Sequence, residues 1–231
     1  MIAERVLLVG LVFAYLLTFD QVLPHGDALR IVRQVETAHL VWNPNHLFFD
    51  PLGYAIAWMA NVRDREGVLE IFERVSIFAT LVSLWVFHGV LVRAAVGRWA
   101  RVVLCIGLFA SASFLAVAGS QYYFMVQMPL LIAALYLYID FIIQLHEERA
   151  VYRNVYGIGV LLALATAVMF NNLLLVIGAG VAVGFTGRSL KRPDFGLSLR
   201  LFLAAGLVGF PLFILGYSLA AAESGFLRWL V

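Results

Sequence analysis

Long apolar stretches alternate with short polar or charged segments along almost the whole chain. A membrane-spanning helix takes about 20 residues, so a chain of 231 residues has room for about seven or eight of them with short connections. Seven apolar stretches are candidate spans, and they cover residues 5–23, 75–93, 101–119, 122–145, 155–170, 173–186 and 199–221. The pattern predicts an all-α, polytopic membrane protein, folded as a single integral membrane domain over residues 1–231.

An eighth apolar stretch, residues 48–62, contains Pro51 and Gly53 and is short. As a helix it covers about 22 Å, whereas the hydrocarbon core of a bilayer is about 30 Å thick. The distribution of basic residues also indicates that residues 48–62 do not cross the membrane, because Lys and Arg collect in cytoplasmic loops. Most of the 16 Lys and Arg residues lie on the inner side if the N-terminus is cytoplasmic and this segment does not cross. We therefore expect about seven spans, with residues 24–74 as the first outer loop.

The first outer loop contains a stretch with helical spacing, from Asp27 to Trp42. Its apolar side chains fall at positions 28, 31, 32, 35, 38 and 42, with polar residues between them. This spacing is typical of an amphipathic helix that lies on a membrane surface. Together with residues 48–62 as a second, shallow helix, it gives the loop two juxtamembrane helices.

The composition excludes an ordinary soluble domain. Hydrophobic residues make up 63% of the chain and charged residues 13%, with a mean hydropathy of +0.94. In soluble domains about 45–50% of the residues are apolar and about 25% are charged. The net charge of +2 arises at helix ends and in loops, so no nucleic-acid partner is expected. The one cysteine, Cys105, excludes an intrachain disulfide and a CxxC site.

One acidic residue, Asp140, lies inside the apolar stretch 122–145. An acid at this depth is costly when it faces lipid, so we expect Asp140 to face other helices. His88 is one candidate partner.

Several short motifs bring polar residues to the predicted outer ends of the spans. They are His25-Gly26-Asp27-Ala28, Asn43-Pro44-Asn45-His46 with Pro51-Leu52-Gly53-Tyr54, Ser120-Gln121-Tyr122-Tyr123, and Asn171-Asn172. In their order along the chain they resemble the GT-C superfamily of polyprenyl-phosphate-dependent membrane glycosyltransferases. That family has an acidic motif after the first span, a Pro-Leu-Gly stretch in the same loop, and polar residues that open later helices. The resemblance covers most of the chain.

The resemblance implies an enzyme that transfers sugar from a polyprenyl-phosphate donor at the outer face of a bacterial cytoplasmic membrane. It implies Asp27 as the catalytic base, because the loop acid of the family is taken to activate the acceptor hydroxyl. It also implies contacts to the donor or acceptor by Arg30, His46, Gln121, Tyr122, Asn171 and Asn172. Neither a cofactor nor a set of metal ligands is expected, although the chemistry is compatible with a divalent cation between Asp27 and the donor phosphate.

Two observations keep other interpretations open. Asp27 precedes a helical run and is therefore also typical of a helix N-cap, a role that is compatible with catalysis. It has no acidic neighbour, whereas members of the family often have a second acid next to the first. The alternative is a non-catalytic accessory or structural subunit of a larger hetero-oligomeric membrane complex. Under either hypothesis the immediate partners are membrane lipids.

Overall fold

The computed structural model describes residues 2–18, 26–37, 48–111, 123–147, 151–189 and 195–224. Within these ranges the chain forms helices and turns and contains no strand, so the all-α prediction is confirmed. The helices are α1 (Ile2–Thr18), α2 (Gly26–Glu36), α3 (Phe49–Met59), α4 (Arg65–Arg93), α5 (Arg98–Ala110), α6 (Tyr123–His146), α7 (Tyr152–Val168), α8 (Leu173–Ser189) and α9 (Phe195–Ser224). A single 3-10 turn, Phe170–Asn172, separates α7 from α8.

Three of the described helices are long and apolar enough to cross a membrane. The qualifying stretches are Arg65–Arg93, Val126–His146 and Phe195–Ser218. Two others, Tyr152–Val168 and Phe170–Thr186, are apolar but shorter. Helices α1 and α5 have 17 and 13 residues, and the predicted spans that contain them continue beyond the described residues. The count of seven spans stays a prediction.

The two short helices expected after the first span are present as α2 and α3. Ile31, Val32 and Val35 are buried on α2, as the helical spacing predicted. Through this face α2 packs against α3 and α4. Helix α3 has only 11 residues, about 16 Å of length, so it is too short to cross a bilayer.

Helix α2 is shorter than its apolar pattern predicted. It begins at Gly26, as expected, but ends at Glu36 and not at Trp42. Thr37, in the turn that follows, bonds the last turn of the helix: its backbone N–H and its hydroxyl both donate to the carbonyl oxygen of Arg33, at 3.0 and 2.7 Å.

Helix α4 begins well before the apolar stretch 75–93. The reason is a cap: Asp64 precedes the helix, and its carboxylate accepts a hydrogen bond from the Gly67 backbone N–H at 2.9 Å. A capping acid satisfies one of the backbone donors that a helix start leaves without a partner. The first turns of α4 are polar and include the exposed ion pair of Glu70 and Arg74.

The described helices pack as two compact units. The first contains α1 to α5 and α6 up to Pro129, and the second contains the rest of α6 and α7 to α9. In the first unit α1 and α4 run antiparallel: Glu4 near the start of α1 contacts His88 near the end of α4, and Leu16 near the end of α1 packs against Ile77. Helix α5 begins beside the same end of α4.

In the second unit α9 packs along both α7 and α8. The core of the second unit contains Phe141 of α6, Val155 and Ile158 of α7, Val183 of α8 and Leu201 of α9. Helices α7 and α9 approach closely at Gly159, where an added Cβ atom would lie 2.5 Å from the carbonyl oxygen of Leu201. The glycine is required there by backbone proximity.

Candidate functional site

The structure describes only part of the predicted outer site. Asp27 is the second residue of α2, so it lies in the first turn of the helix and not in the cap position before it. Its side chain lies outside the described part of the structure, as do His46, Gln121 and Tyr122. Arg30 lies one turn further along α2, is half-buried, and has an interaction partner within the structure.

The polar pair Asn171 and Asn172 forms the turn between α7 and α8. Asn172 is buried, and its side-chain amide donates to the carbonyl oxygen of Ala165 at 2.8 Å. Its backbone N–H bonds the carbonyl oxygen of Met169 at 3.0 Å. Asn171 is exposed. The amide of Asn172 therefore holds the end of α7, and Asn171 is the member of the pair that is open to a ligand.

Within the described ranges of the first unit, five charged or titratable side chains gather in a group that was not predicted as a site. It consists of Glu4, Arg5, His88, Arg98 and Arg101, here called the Glu4 cluster. Glu4 Oε1 lies 2.8 Å from His88 Nε2. Arg101 reaches both carboxylate oxygens, with Nε 3.2 Å from Oε1 and Nη2 3.2 Å from Oε2. The cluster joins the start of α1, the end of α4 and the start of α5.

The hydrogen bonds of His88 determine which ring nitrogen carries the proton. Arg5 Nε donates to His88 Nδ1 at 2.9 Å, and an arginine is always charged and cannot accept. Nδ1 is therefore the acceptor, so the neutral ring carries its hydrogen on Nε2 and donates it to Glu4. The Arg5 guanidinium also lies over the ring of Trp85, 5.5 Å from its centroid.

The Glu4 carboxylate is stabilised in its charged form. Its side chain is 8% exposed, and hydrogen bonds from Arg101 and then His88 lower its pKa from 4.5 to about 2. A charge this well shielded is stable only when it is paired. Arg101 completes the arrangement, since its Nη1 also donates to the carbonyl oxygen of Val96 at 2.6 Å.

A second buried polar group lies in the second unit. Asp140 is buried and faces α7, as expected, but it does not pair with His88. Asn154 Nδ2 and Gln144 Nε2 both donate to Asp140 Oδ2, at 2.8 and 2.5 Å. His88 instead binds Glu4 and Arg5, which belong to the first unit, so the suggested pairing was wrong.

The described cavities are mainly apolar. In the second unit, one of about 310 Å³ has lining residues that include Thr166, Leu173 and Phe202, and another of about 290 Å³ is lined by Leu131, Tyr138 and their neighbours. Apolar linings of this kind suit hydrocarbon chains. In the first unit, a cavity of about 40 Å³ adjoins the Glu4 cluster.

No group of three or more His, Cys, Asp or Glu side chains gathers within the described ranges in an arrangement that would hold a metal ion. Three of the five histidines, His25, His39 and His46, lie outside those ranges.

No protein-family model, curated protein or solved structure matches this chain.

Proposed function

We propose that this chain is a GT-C-like integral membrane protein with about seven spans, and that it transfers sugar from a polyprenyl-phosphate donor at the outer face of a bacterial cytoplasmic membrane. The order of the polar motifs along the chain is the basis for the sugar-transfer part of this proposal. The antiparallel pairing of α1 with α4 supports its topology. Two antiparallel spans have the segment that connects them on one side of the membrane. Helices α2 and α3 belong to that segment, and the short α3 fits a helix that does not cross. With a cytoplasmic N-terminus, the connecting segment is external.

In this proposal the reacting groups lie on α2. Asp27 takes the proton of the acceptor hydroxyl, and the acceptor oxygen attacks the anomeric carbon of the sugar. The bond from that carbon to the phosphate oxygen breaks, and polyprenyl phosphate leaves. Arg30 is three residues further on, hence on the same side of the helix, where its N–H groups suit the phosphate. The lipid tail keeps the donor in the bilayer beside this surface helix.

The remaining predicted contacts to donor and acceptor are His46, Gln121, Tyr122, Asn171 and Asn172. Of the two asparagines, the exposed Asn171 is suited to a substrate contact, whereas Asn172 already donates to Ala165. A divalent cation between Asp27 and the donor phosphate would assist the same chemistry by neutralising negative charge.

The experiment compares Asp27→Asn with a matched control, Asp64→Asn. Both acids lie at the start of a helix in the same predicted loop. At each position Asn keeps the size of the side chain and removes its charge, and at the cap position of Asp64 it caps about as well as Asp. The assay measures transfer of a radiolabelled hexose from polyprenyl-phosphate donors to an extract of envelope glycans. Asp27→Asn should fold normally and lose about 10²- to 10⁴-fold in rate, the usual contribution of a positioned base. Asp64→Asn should keep its activity. Full activity in Asp27→Asn would refute the assignment of the base.

A second candidate is a non-catalytic subunit of a larger membrane complex. The apolar cavities of the second unit favour it, because they offer hydrocarbon surface without a cluster of reactive groups. The exposed side of α9 includes Gly206, where an added Cβ would meet no atom within 4 Å. Gly206→Trp should then displace partner subunits during purification in mild detergent, and Asp27→Asn should leave the complex intact.

A further inference from the structure

The Glu4 cluster has an excess of positive charge. Two arginines, Arg98 and Arg101, lie within 4 Å of the Glu4 carboxylate. Arg5 binds the other edge of the His88 ring, and His88 is neutral as its hydrogen bonds require. Within the described residues, Glu4 is the one acid that pairs with Arg98 or Arg101, and Arg5 pairs with none. The cluster is therefore complementary to a further anion.

Two of the arginines have donors left for such an anion. Arg101 already donates hydrogen bonds to both Glu4 oxygens and to the Val96 carbonyl. Arg5 uses Nε for His88 and has no hydrogen bond from Nη1 or Nη2 to another described residue. The side chain of Arg98 is 72% exposed, and its Nε lies 3.8 Å from Glu4 Oε2. The paired N–H groups of a guanidinium match the oxygens of a phosphate.

The cavity beside the cluster is apolar. Arg5 and His88 line one part of it, and the rest includes Leu8, Leu84 and Phe109. Its volume is about 40 Å³. Apolar cavities accept hydrocarbon groups. The first few methylene groups of an acyl chain fit these dimensions.

The position of the cluster along α4 points to the level of lipid headgroups. Arg65–Arg93 is one of the stretches apolar enough to cross a membrane, and His88 lies within its last two turns. Trp85 lies next to Arg5, and Trp99 lies next to Arg98. Tryptophan is enriched at membrane interfaces, where one side of the ring contacts hydrocarbon and the other contacts polar groups.

We propose that the Glu4 cluster and its adjoining cavity bind one anionic phospholipid. The headgroup phosphate lies on Arg5 and Arg98, and the start of one acyl chain enters the cavity between α1, α4 and α5. This site is independent of the sugar-transfer proposal, because it uses none of the residues on α2.

The test is native mass spectrometry of the full chain released from nanodiscs that contain phosphatidylglycerol and phosphatidylcholine in equal amounts. The wild type should retain one phosphatidylglycerol in preference to phosphatidylcholine. Arg98→Gln, which changes an exposed side chain, should weaken this retention about fivefold, since one arginine near an anionic lipid surface contributes about 1 kcal/mol. The control is Arg74→Gln at the other end of α4, where the exposed arginine pairs with Glu70. It should leave retention unchanged.

Two competitors separate a lipid from a free phosphate. Dihexanoyl phosphatidylglycerol should displace the retained lipid, whereas glycerol 3-phosphate should not, because it has no chain for the cavity. Ile106→Trp, which fills the cavity and leaves the three arginines in the sequence, should also reduce retention. Equal retention of the two phospholipids, equal effects of Arg98→Gln and Arg74→Gln, or displacement by glycerol 3-phosphate would each overturn the proposal.

Discussion

Glu4 Oε1 lies 2.8 Å from His88 Nε2, and the two residues are 84 positions apart in the chain. This one contact brings the start of α1 to the end of α4 and, with Leu16 against Ile77, makes the two helices antiparallel. It follows that α2 and α3 belong to a connection whose ends lie on the same side of the helix pair. The proposed outer site depends on that arrangement.

The first prediction concerns the pH dependence of stability. The pKa of Glu4 is lowered from 4.5 to about 2 by hydrogen bonds from Arg101 and His88. A group with a lowered pKa stabilises the folded state above its unfolded pKa, and this contribution disappears as the pH falls through the folded pKa. The difference in thermal unfolding temperature between wild type and Glu4→Gln should therefore be constant above pH 4.5, narrow between pH 4.5 and 2, and be smallest below pH 2.

The measurement is thermal unfolding in a nonionic detergent, followed by tryptophan fluorescence. Glu70→Gln is the control, since Glu70 is 58% exposed in a surface pair with Arg74 and such pairs contribute little. If the difference in unfolding temperature between wild type and Glu4→Gln does not change with pH, the role assigned to the carboxylate is contradicted.

The second prediction concerns the packing of α7 on α9. Gly159→Ala should destabilise the protein by about 1–3 kcal/mol, because the new methyl group would clash with the backbone at Leu201 and overpack the contact. Gly178→Ala is the matched control on α8, where an added Cβ meets no atom within 4 Å. It should be neutral or stabilise the helix by about 0.5–1 kcal/mol. Chemical unfolding of both variants in the same detergent gives the comparison, and equal effects would disprove the close approach.

The third prediction concerns the buried pair Asp140 and Asn154. Asn154→Ala removes one of the donors to the Asp140 carboxylate and should cost about 1–3 kcal/mol. Asp140→Ala in the same background should then cost less than it does in the wild type, because the two side chains act together. A double-mutant cycle should give a coupling of about 0.5–3 kcal/mol. Strict additivity of the two substitutions would mean that the hydrogen bond does not stabilise the fold.

The sequence pattern predicted the all-helical class and the two short helices of the first loop, but it predicted neither all helix bounds nor the contacts between helices. Helical spacing correctly predicted the buried side chains Ile31, Val32 and Val35 of α2, because a surface helix buries one face. The same pattern missed the early start of α4, since a cap at Asp64 and polar first turns leave no apolar signal. It was also wrong about the end of α2.

The Glu4 cluster shows why the contacts between helices could not be predicted from the sequence. Glu4 lies 84 positions from His88 and 97 from Arg101, and no local spacing connects residues so far apart. In the sequence, Arg98 and Arg101 count only among the basic residues that predict the orientation of the spans, and this gives no indication of their contact with Glu4. Of the predicted outer site, the structure describes Arg30, Asn171 and Asn172 fully, and the roles of these side chains in substrate binding stay predictions.

The most direct test of the account is the side of the membrane on which the connection between α1 and α4 lies. Single cysteines at Ala60, just after α3, and at Gly97, just before α5, are introduced into a Cys105→Ser background, and both positions are exposed. A membrane-impermeant maleimide is applied to intact cells and then to permeabilised cells. The account predicts that the cysteine at Ala60 is labelled in intact cells and the cysteine at Gly97 only after permeabilisation. Labelling of both from the same side, or of Gly97 alone in intact cells, would contradict the external position of α2 and α3.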